Sequence, residues 1–110
     1  LQLLKVKGTL VNLEDAAMLL GSMPEVEEWQ IELRKKDDDP HEVDEIVVHL
    51  SVKQGCSEDV ATKSVRELFK SRLEISPNQV EFLGLDSMLQ KIGMETEMKE
   101  KRFLDARPKV

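Results

Sequence analysis

Cysteine, aromatic residues and long apolar runs are all scarce in this 110-residue chain. Its one cysteine, Cys56, has no partner for an internal disulfide, which points to a reducing, cytoplasmic setting. No apolar run approaches the ~20 residues that a membrane-spanning helix requires, so no membrane segment is expected. The N-terminus lacks a basic stretch leading into an apolar one and does not read as a secretory signal. The chain opens on Leu1 without an initiator Met, so a piece of a longer protein is expected. An excess of basic charge is missing as well. Lys and Arg number 16 against 22 Asp and Glu, a net charge of −6, whereas a phosphate-binding domain needs a basic face to displace counterions. Only the last twenty residues are locally basic. Base stacking on a sheet requires exposed aromatics, and Trp29, Phe69, Phe82 and Phe103 all fit core positions better. Nucleic acid is therefore not an expected partner.

Soft metal ligands are limited to His41, His49 and Cys56, without Cys-x-x-Cys or His-x-x-x-His spacing. No metal site is expected. Asp37 to Asp39 could meet a hard cation, but a solvated hairpin loop explains them as well. Cys56 stands just before a helix start, where a thiolate is favoured, yet a lone loop cysteine is most often without a chemical role. No nucleophile elbow, Walker loop or dinucleotide fingerprint occurs. Met18, Met23, Met88, Met94 and Met98 share no stripe and read as gap fillers and tail residues.

What the chain does contain is patterning. With 40% apolar and 35% charged residues it reads as one soluble globular domain over 1–110. Leu3 to Lys7 alternates as a short strand, and Gly8 makes a corner open to positive φ. Asn12 caps a helix whose face is Leu13, Ala16, Ala17 and Leu20; Gly21 is expected just past its end, with Pro24 barring resumption. Val26 to Lys35 is a strand with Trp29, Ile31 and Leu33 opposite Gln30, Glu32 and Arg34. Glu45 to Lys53 alternates through Ile46, Val48, Leu50 and Val52, and the two should form a hairpin across the acidic loop.

Ser57 caps a long helix with Glu58 and Asp59 in its first turn and a stripe of Ala61, Val65, Leu68, Phe69 and either Arg72 or Leu73. Val80 to Leu83 is a further strand. Leu85 to Gly93 reads equally as a helical turn or a loop, and Lys101 to Asp105 as a closing edge strand. The order β-α-β-β-α-β predicts an α+β, ferredoxin-like split sheet with its two helices on one face and a C-terminal appendix strand.

Lys5-Val6-Lys7-Gly8, the turn Met23-Pro24-Glu25-Val26, the strand Trp29-Gln30-Ile31-Glu32-Leu33 and the close Lys99-Glu100-Lys101-Arg102-Phe103-Leu104-Asp105-Ala106-Arg107-Pro108 occur in a telling order. Together they resemble the C-terminal domain of AMP-forming acyl-CoA synthetases, specifically the phenylacetate-CoA ligase branch of the adenylate-forming enzymes. The similarity runs over nearly the whole chain. Met98 stands where that family has glycine, and Leu13 where it commonly has proline.

The resemblance implies an ATP-dependent ligase, using ATP with Mg and then CoA, whose N-terminal adenylation domain binds the carboxylic acid. The small domain would be inactive alone. It would supply Lys99 for acyl-adenylate formation, then turn another face, with Lys5 and Gly8, toward CoA. Lys101 and Arg102 are neighbouring candidates for the Lys99 role. Two other readings stay open: an ACT-like regulatory domain binding a small molecule near Gly8, and a dimerisation module using an edge strand near Trp29.

Overall fold

The computed structural model describes residues 3–6, 8–93 and 100–109, with only the backbone of Leu4. Lys99, Met94 and Met98 lie outside the described residues.

The chain opens with a two-residue hairpin. Strand β1 (Leu3–Val6) pairs antiparallel with β2 (Thr9–Asn12), placing Val6 opposite Thr9 across the turn at Gly8. Gly8 has a φ of 80°, a left-handed conformation that costs an L side chain about 1–2 kcal/mol. Val6 and Val11 turn inward and are buried. Asn12 then caps helix α1 (Leu13–Ser22) by accepting a 2.9 Å bond from the Glu14 amide. The helix runs through Gly21 and ends at Met23, which is extended. Gly21 is therefore an interior helical residue rather than the cap. Pro24, lacking an amide proton, follows the stop.

The main sheet has four strands in the order β5-β4-β3-β6. Its centre is the antiparallel pair β3 (Val26–Lys35) and β4 (Asp44–Val52), joined by a 3-10 turn at Lys36–Asp38. Asp37 and Asp38 have φ near 55° there, a region that short acidic side chains tolerate. Near the start of β3 the register shifts at Glu27, and the buried Ser51 hydroxyl accepts the Glu28 amide at 3.1 Å.

Helix α2 (Glu58–Leu73), capped by Ser57 accepting from the Val60 amide, crosses back from β4. Glu74 closes it at a φ of 61°, and Arg66 holds the exit by donating to the Pro77 carbonyl at 2.9 Å. Asn78 next exchanges two bonds with Ile46, its amide to the carbonyl and its side-chain oxygen to the amide. This starts β5 (Gln79–Phe82) parallel to β4. Helix α3 (Leu85–Lys91) follows, and β6 (Phe103–Asp105) closes the sheet parallel to β3.

The core lies on one face of this sheet. Trp29, Ile31 and Leu33 stand directly opposite Leu50, Val48 and Ile46. Against them pack Leu13, Ala16 and Leu20 of α1 and Val65, Phe69 and Leu73 of α2. The other face is covered by α3, which packs on β3 and β4 and buries Met88 and Ile92. The α+β class, with open sheets compatible with a ferredoxin-like split β-α-β domain, agrees with the sequence pattern.

The opening strand forms its own hairpin outside the main sheet, in which β4 pairs directly with β5 and β3 with β6. Trp29 lies on β3 two residues before the stretch that pairs with β6, and its carbonyl accepts from the Arg102 guanidinium.

Phe69 is 1% exposed at the centre of the core. Phe69→Ala should destabilise the fold by about 3–5 kcal/mol in urea unfolding, through lost burial plus a residual cavity. Met18→Ala, on the exposed face of α1, should fall within about 0.5 kcal/mol of the parent.

Candidate functional site

The described part of the closing motif runs beside β3 and ends near the start of β4. Ile92, one residue beyond α3, offers its carbonyl to the Lys101 amide at 2.8 Å. The side chain of Gln30, on the face of β3 under α3, donates to the Lys91 carbonyl at 3.3 Å and to the Lys101 carbonyl at 2.9 Å. Arg102 comes next. Its guanidinium lies 5.0 Å over the Trp29 ring, donates to the Trp29 carbonyl at 2.8 Å, and pairs with Glu28 and Glu100 at 2.7 Å each.

Burial works against the Arg102 charge, but Glu100 and Glu28 more than compensate, and its pKa is held above the usual arginine value. Phe103 meets Trp29 edge to face at 5.7 Å, and the Arg102 carbonyl accepts the Ile31 amide at 2.8 Å. Arg102 is thus committed to the domain's own groups and serves as an anchor. Lys101 is exposed, with its backbone held at both ends.

Further along, Arg107 bonds Asp105 at 2.8 Å and reaches Asp44 at 3.5 Å. The Asp105 carboxylate, ahead of the opposing effect of burial, raises the Arg107 pKa beyond that of an ordinary arginine. The Arg-Pro close of the chain is thereby tied to the start of β4.

Beneath α3 lies a polar cluster. His49 Nε2 is 2.8 Å from Glu32 Oε1, and the same carboxylate receives the Arg34 fork at 2.7 and 3.2 Å. Glu81 on β5 approaches His49 Nδ1 at 3.4 Å and Arg34 at 3.8 Å, while Lys91 on α3 comes within 4.0 Å of Glu32. Burial pushes the His49 pKa below its ordinary value, and Lys91 adds to this against the pull of Glu32 and Glu81. For Glu32, burial acts upward but is outweighed by its bonds from Arg34 and His49, so its pKa is lowered. An ionised Glu32 has no proton to give, so in this contact His49 Nε2–H donates to Glu32 Oε1.

The alternation along β3 and β4 puts Gln30, Glu32 and His49 on the face opposite the core but gives no sign that they lie inside the protein. The missed signal was Leu85, Met88 and Ile92, spaced i, i+3 and i+7, which is the apolar stripe of a helix able to cover that face.

Lys5 and Gly8 lie together on the β1–β2 hairpin, both exposed. The hairpin rests on the core side of the sheet through Val6 and Val11, whereas the Gln30–Lys101 contact belongs to the opposite side. His41 and Asp37 to Asp39 are exposed at or near the β3–β4 turn, and Cys56 is half-buried before α2. Among the described residues no group of three or more His, Cys, Asp or Glu could hold a metal ion. Among them, too, no helix is long and apolar enough to cross a membrane.

Comparison with family models finds no match, and comparison with curated proteins finds none either. Solved structures do match. A domain of phenylacetate-coenzyme A ligase from Bacteroides vulgatus is similar at a TM-score of 0.74 and 15% identity, over 99% of this chain and 96% of that one. This chain shares the fold of that domain. An acyl-CoA synthetase from Brucella canis is similar at a TM-score of 0.56 and 16% identity, over 74% of this chain. The matched part is 15% of that synthetase, so the chain corresponds to a small portion of it. At these identities the likeness is one of fold.

The lowered His49 pKa sets a pH dependence. An unfolded His49 takes up a proton below about 6.5, while the folded one resists until a lower pH, so stability falls as pH drops through that window. Glu32, lowered in the folded state, adds a second loss only below about 4.5. His49→Gln should flatten the decline in urea midpoint that sets in below about pH 6.5 and leave the steeper acid limb. An unchanged slope would count against His49 as its source.

Proposed function

We propose that this chain is the mobile C-terminal domain of an AMP-forming acid–CoA ligase of the phenylacetate-CoA ligase type, acting in the cytoplasm with an N-terminal adenylation domain. The observation that carries the reading is the fold match over 96% of a domain of such a ligase. It is joined by the order of the motifs from Lys5-Val6-Lys7-Gly8 to the Arg107-Pro108 close.

In this reading the partner domain binds ATP with Mg and the carboxylic acid. The acid's carboxylate oxygen attacks the α-phosphorus, and pyrophosphate leaves. Lys99 presents its ammonium to the charge that develops around the carboxylate and α-phosphate, a stabilisation available only in the transition state. The CoA thiolate then attacks the acyl carbon and AMP departs. For that step the domain turns the β1–β2 hairpin toward CoA.

The donor set on the hairpin suits an anionic ligand of this kind. Lys5 carries an exposed ammonium, and at Gly8 a Cβ would find no protein atom within 4 Å, so the turn's backbone is open to close approach. The placement of the hairpin and of the Lys101 anchor on opposite sides of the sheet supports two functional faces.

In the protein carrying its adenylation domain, Lys99→Ala should slow ATP–pyrophosphate exchange by about 100-fold or more. Thioester formation from supplied acyl-adenylate should persist in that variant. Lys5→Glu should do the reverse, raising the KM for CoA while leaving exchange intact. Exchange unaffected by Lys99→Ala would sink the assignment.

A further inference from the structure

We infer that helix α3 is a lid over the His49 cluster, opening as a unit when His49 takes up a proton. The helix is weak by itself. Its seven residues fall short of the ~12–15 that a helix needs to persist alone, so α3 is helical only while it lies on the sheet. Gly84 starts it without a side-chain cap, and Gly93, at a φ of 76°, follows its end. By contrast α2 runs for 16 residues, is capped by Ser57 and buries Ala61, Val65, Phe69 and Leu73.

What α3 covers is polar. Met88 and Ile92 are fully buried, and on the face beneath them lie the buried Gln30, Glu32 and His49. Opening gives up the burial of two apolar side chains and returns water to three polar ones. Gln30 gains directly: its Oε1 is buried without a hydrogen-bond partner among the described residues, and a water would satisfy it. Two polar ties hold the end of α3 to β3, and both are long. Gln30 Nε2 donates to the Lys91 carbonyl at 3.3 Å, and the Lys91 ammonium stands 4.0 Å from Glu32. A third bond, from the Lys101 amide to the Ile92 carbonyl at 2.8 Å, joins the lid to the closing segment.

The contacts also say where the proton goes. His49 Nε2–H already donates to Glu32 Oε1, so an added proton goes on Nδ1, which faces Glu81 Oε2 at 3.4 Å. Among the described residues, the charged groups around the ring are Glu32 and Arg34 on β3, Glu81 on β5 and Lys91 on α3. Glu45, on β4 itself, acts on Arg34. Once the ring is charged, Glu32 faces three cations. The Arg34 fork lies at 2.7 and 3.2 Å, the imidazolium at 2.8 Å and the Lys91 ammonium at 4.0 Å. Lys91 is the most distant of them and stands on the least anchored element, so it is displaced and α3 goes with it. Lifting the lid also brings water to an imidazolium that burial and Lys91 both oppose.

Amide hydrogen exchange in this chain, read as protection factors, tests the lid. Near neutral pH the amides of Met88 to Ile92 should be at least about 10-fold less protected than those of Val65 and Phe69. Their exchange should also be insensitive to urea below the unfolding transition, the mark of a local opening. Between about pH 7.5 and 5.5 the α3 protection should fall by up to about 10-fold, a ceiling set by an open-state histidine pKa near 6.5. His49→Gln should abolish that fall. Glu81→Gln removes a charge that favours the protonated ring, so it should extend the fall to lower pH. Glu81 is partly exposed on an edge strand, so this second variant keeps the test open should His49→Gln fail to fold.

Equal protection in α3 and α2 would mean that α3 opens only with the whole fold, and would overturn the lid. A loss at α3 that survives His49→Gln, or that Glu81→Gln leaves unaltered, would overturn His49 as its trigger. The device resides in this chain alone, and neither result bears on Lys99 or the proposed ligase role.

Discussion

Because Trp29, Ile31 and Leu33 stand directly across from Leu50, Val48 and Ile46, the β3–β4 ladder commits each side of the sheet to one kind of chemistry. Side chains alternate strictly along a strand, so a slip of one residue would exchange the two faces entirely. The apolar face recruits α1 and α2 through Leu20, Val65 and Phe69. The opposite face gathers Gln30, Glu32, His49 and Ser51, all buried. Both outer strands depend on the same register: β5 starts where Asn78 pairs with Ile46, and β6 is flanked by bonds to Ile31 and Leu33.

A buried polar face is costly unless its groups find partners. Here most of them do. Glu32 is shared by Arg34 and His49, Ser51 takes the amide freed by the register shift at Glu27, and Gln30 binds two carbonyls. This network lies under α3, a helix of seven residues that contributes Met88 as its one fully buried side chain. The closing segment is fastened to the same strand by Arg102 and Trp29. The polar layer therefore serves less as a second core than as a seat for Lys91 at the end of α3 and for Lys101 before β6. The hairpin with Lys5 and Gly8 and the anchored segment 100–102 thus stand on opposite sides of the sheet.

Much of this was legible locally. The caps at Asn12 and Ser57, the apolar stripe of α2 and the period-2 alternation of β3 and β4 each lie within a short window, where the physics of the helix and the strand acts directly on neighbouring residues. Gly21 misled because a glycine near a helix end is a common stop, whereas here the extended Met23 and Pro24 end it one turn position later. Of the candidate site, Lys5 and Gly8 could be named from a motif, and the structure adds their exposure and the positive φ at the turn.

The sequence by itself determined which segments form strands and capped helices, and which face of each is apolar. Only the tertiary structure decided that the opening strand leaves the main sheet, that β6 rather than β1 completes β3, and that α3 seals the polar face. It alone joined Gln30 to Lys91 and Lys101 and set Arg102 over Trp29. The physical reason is sequence distance. Those contacts link residues more than sixty positions apart, and a hydrogen bond of that span leaves no periodic trace in either segment.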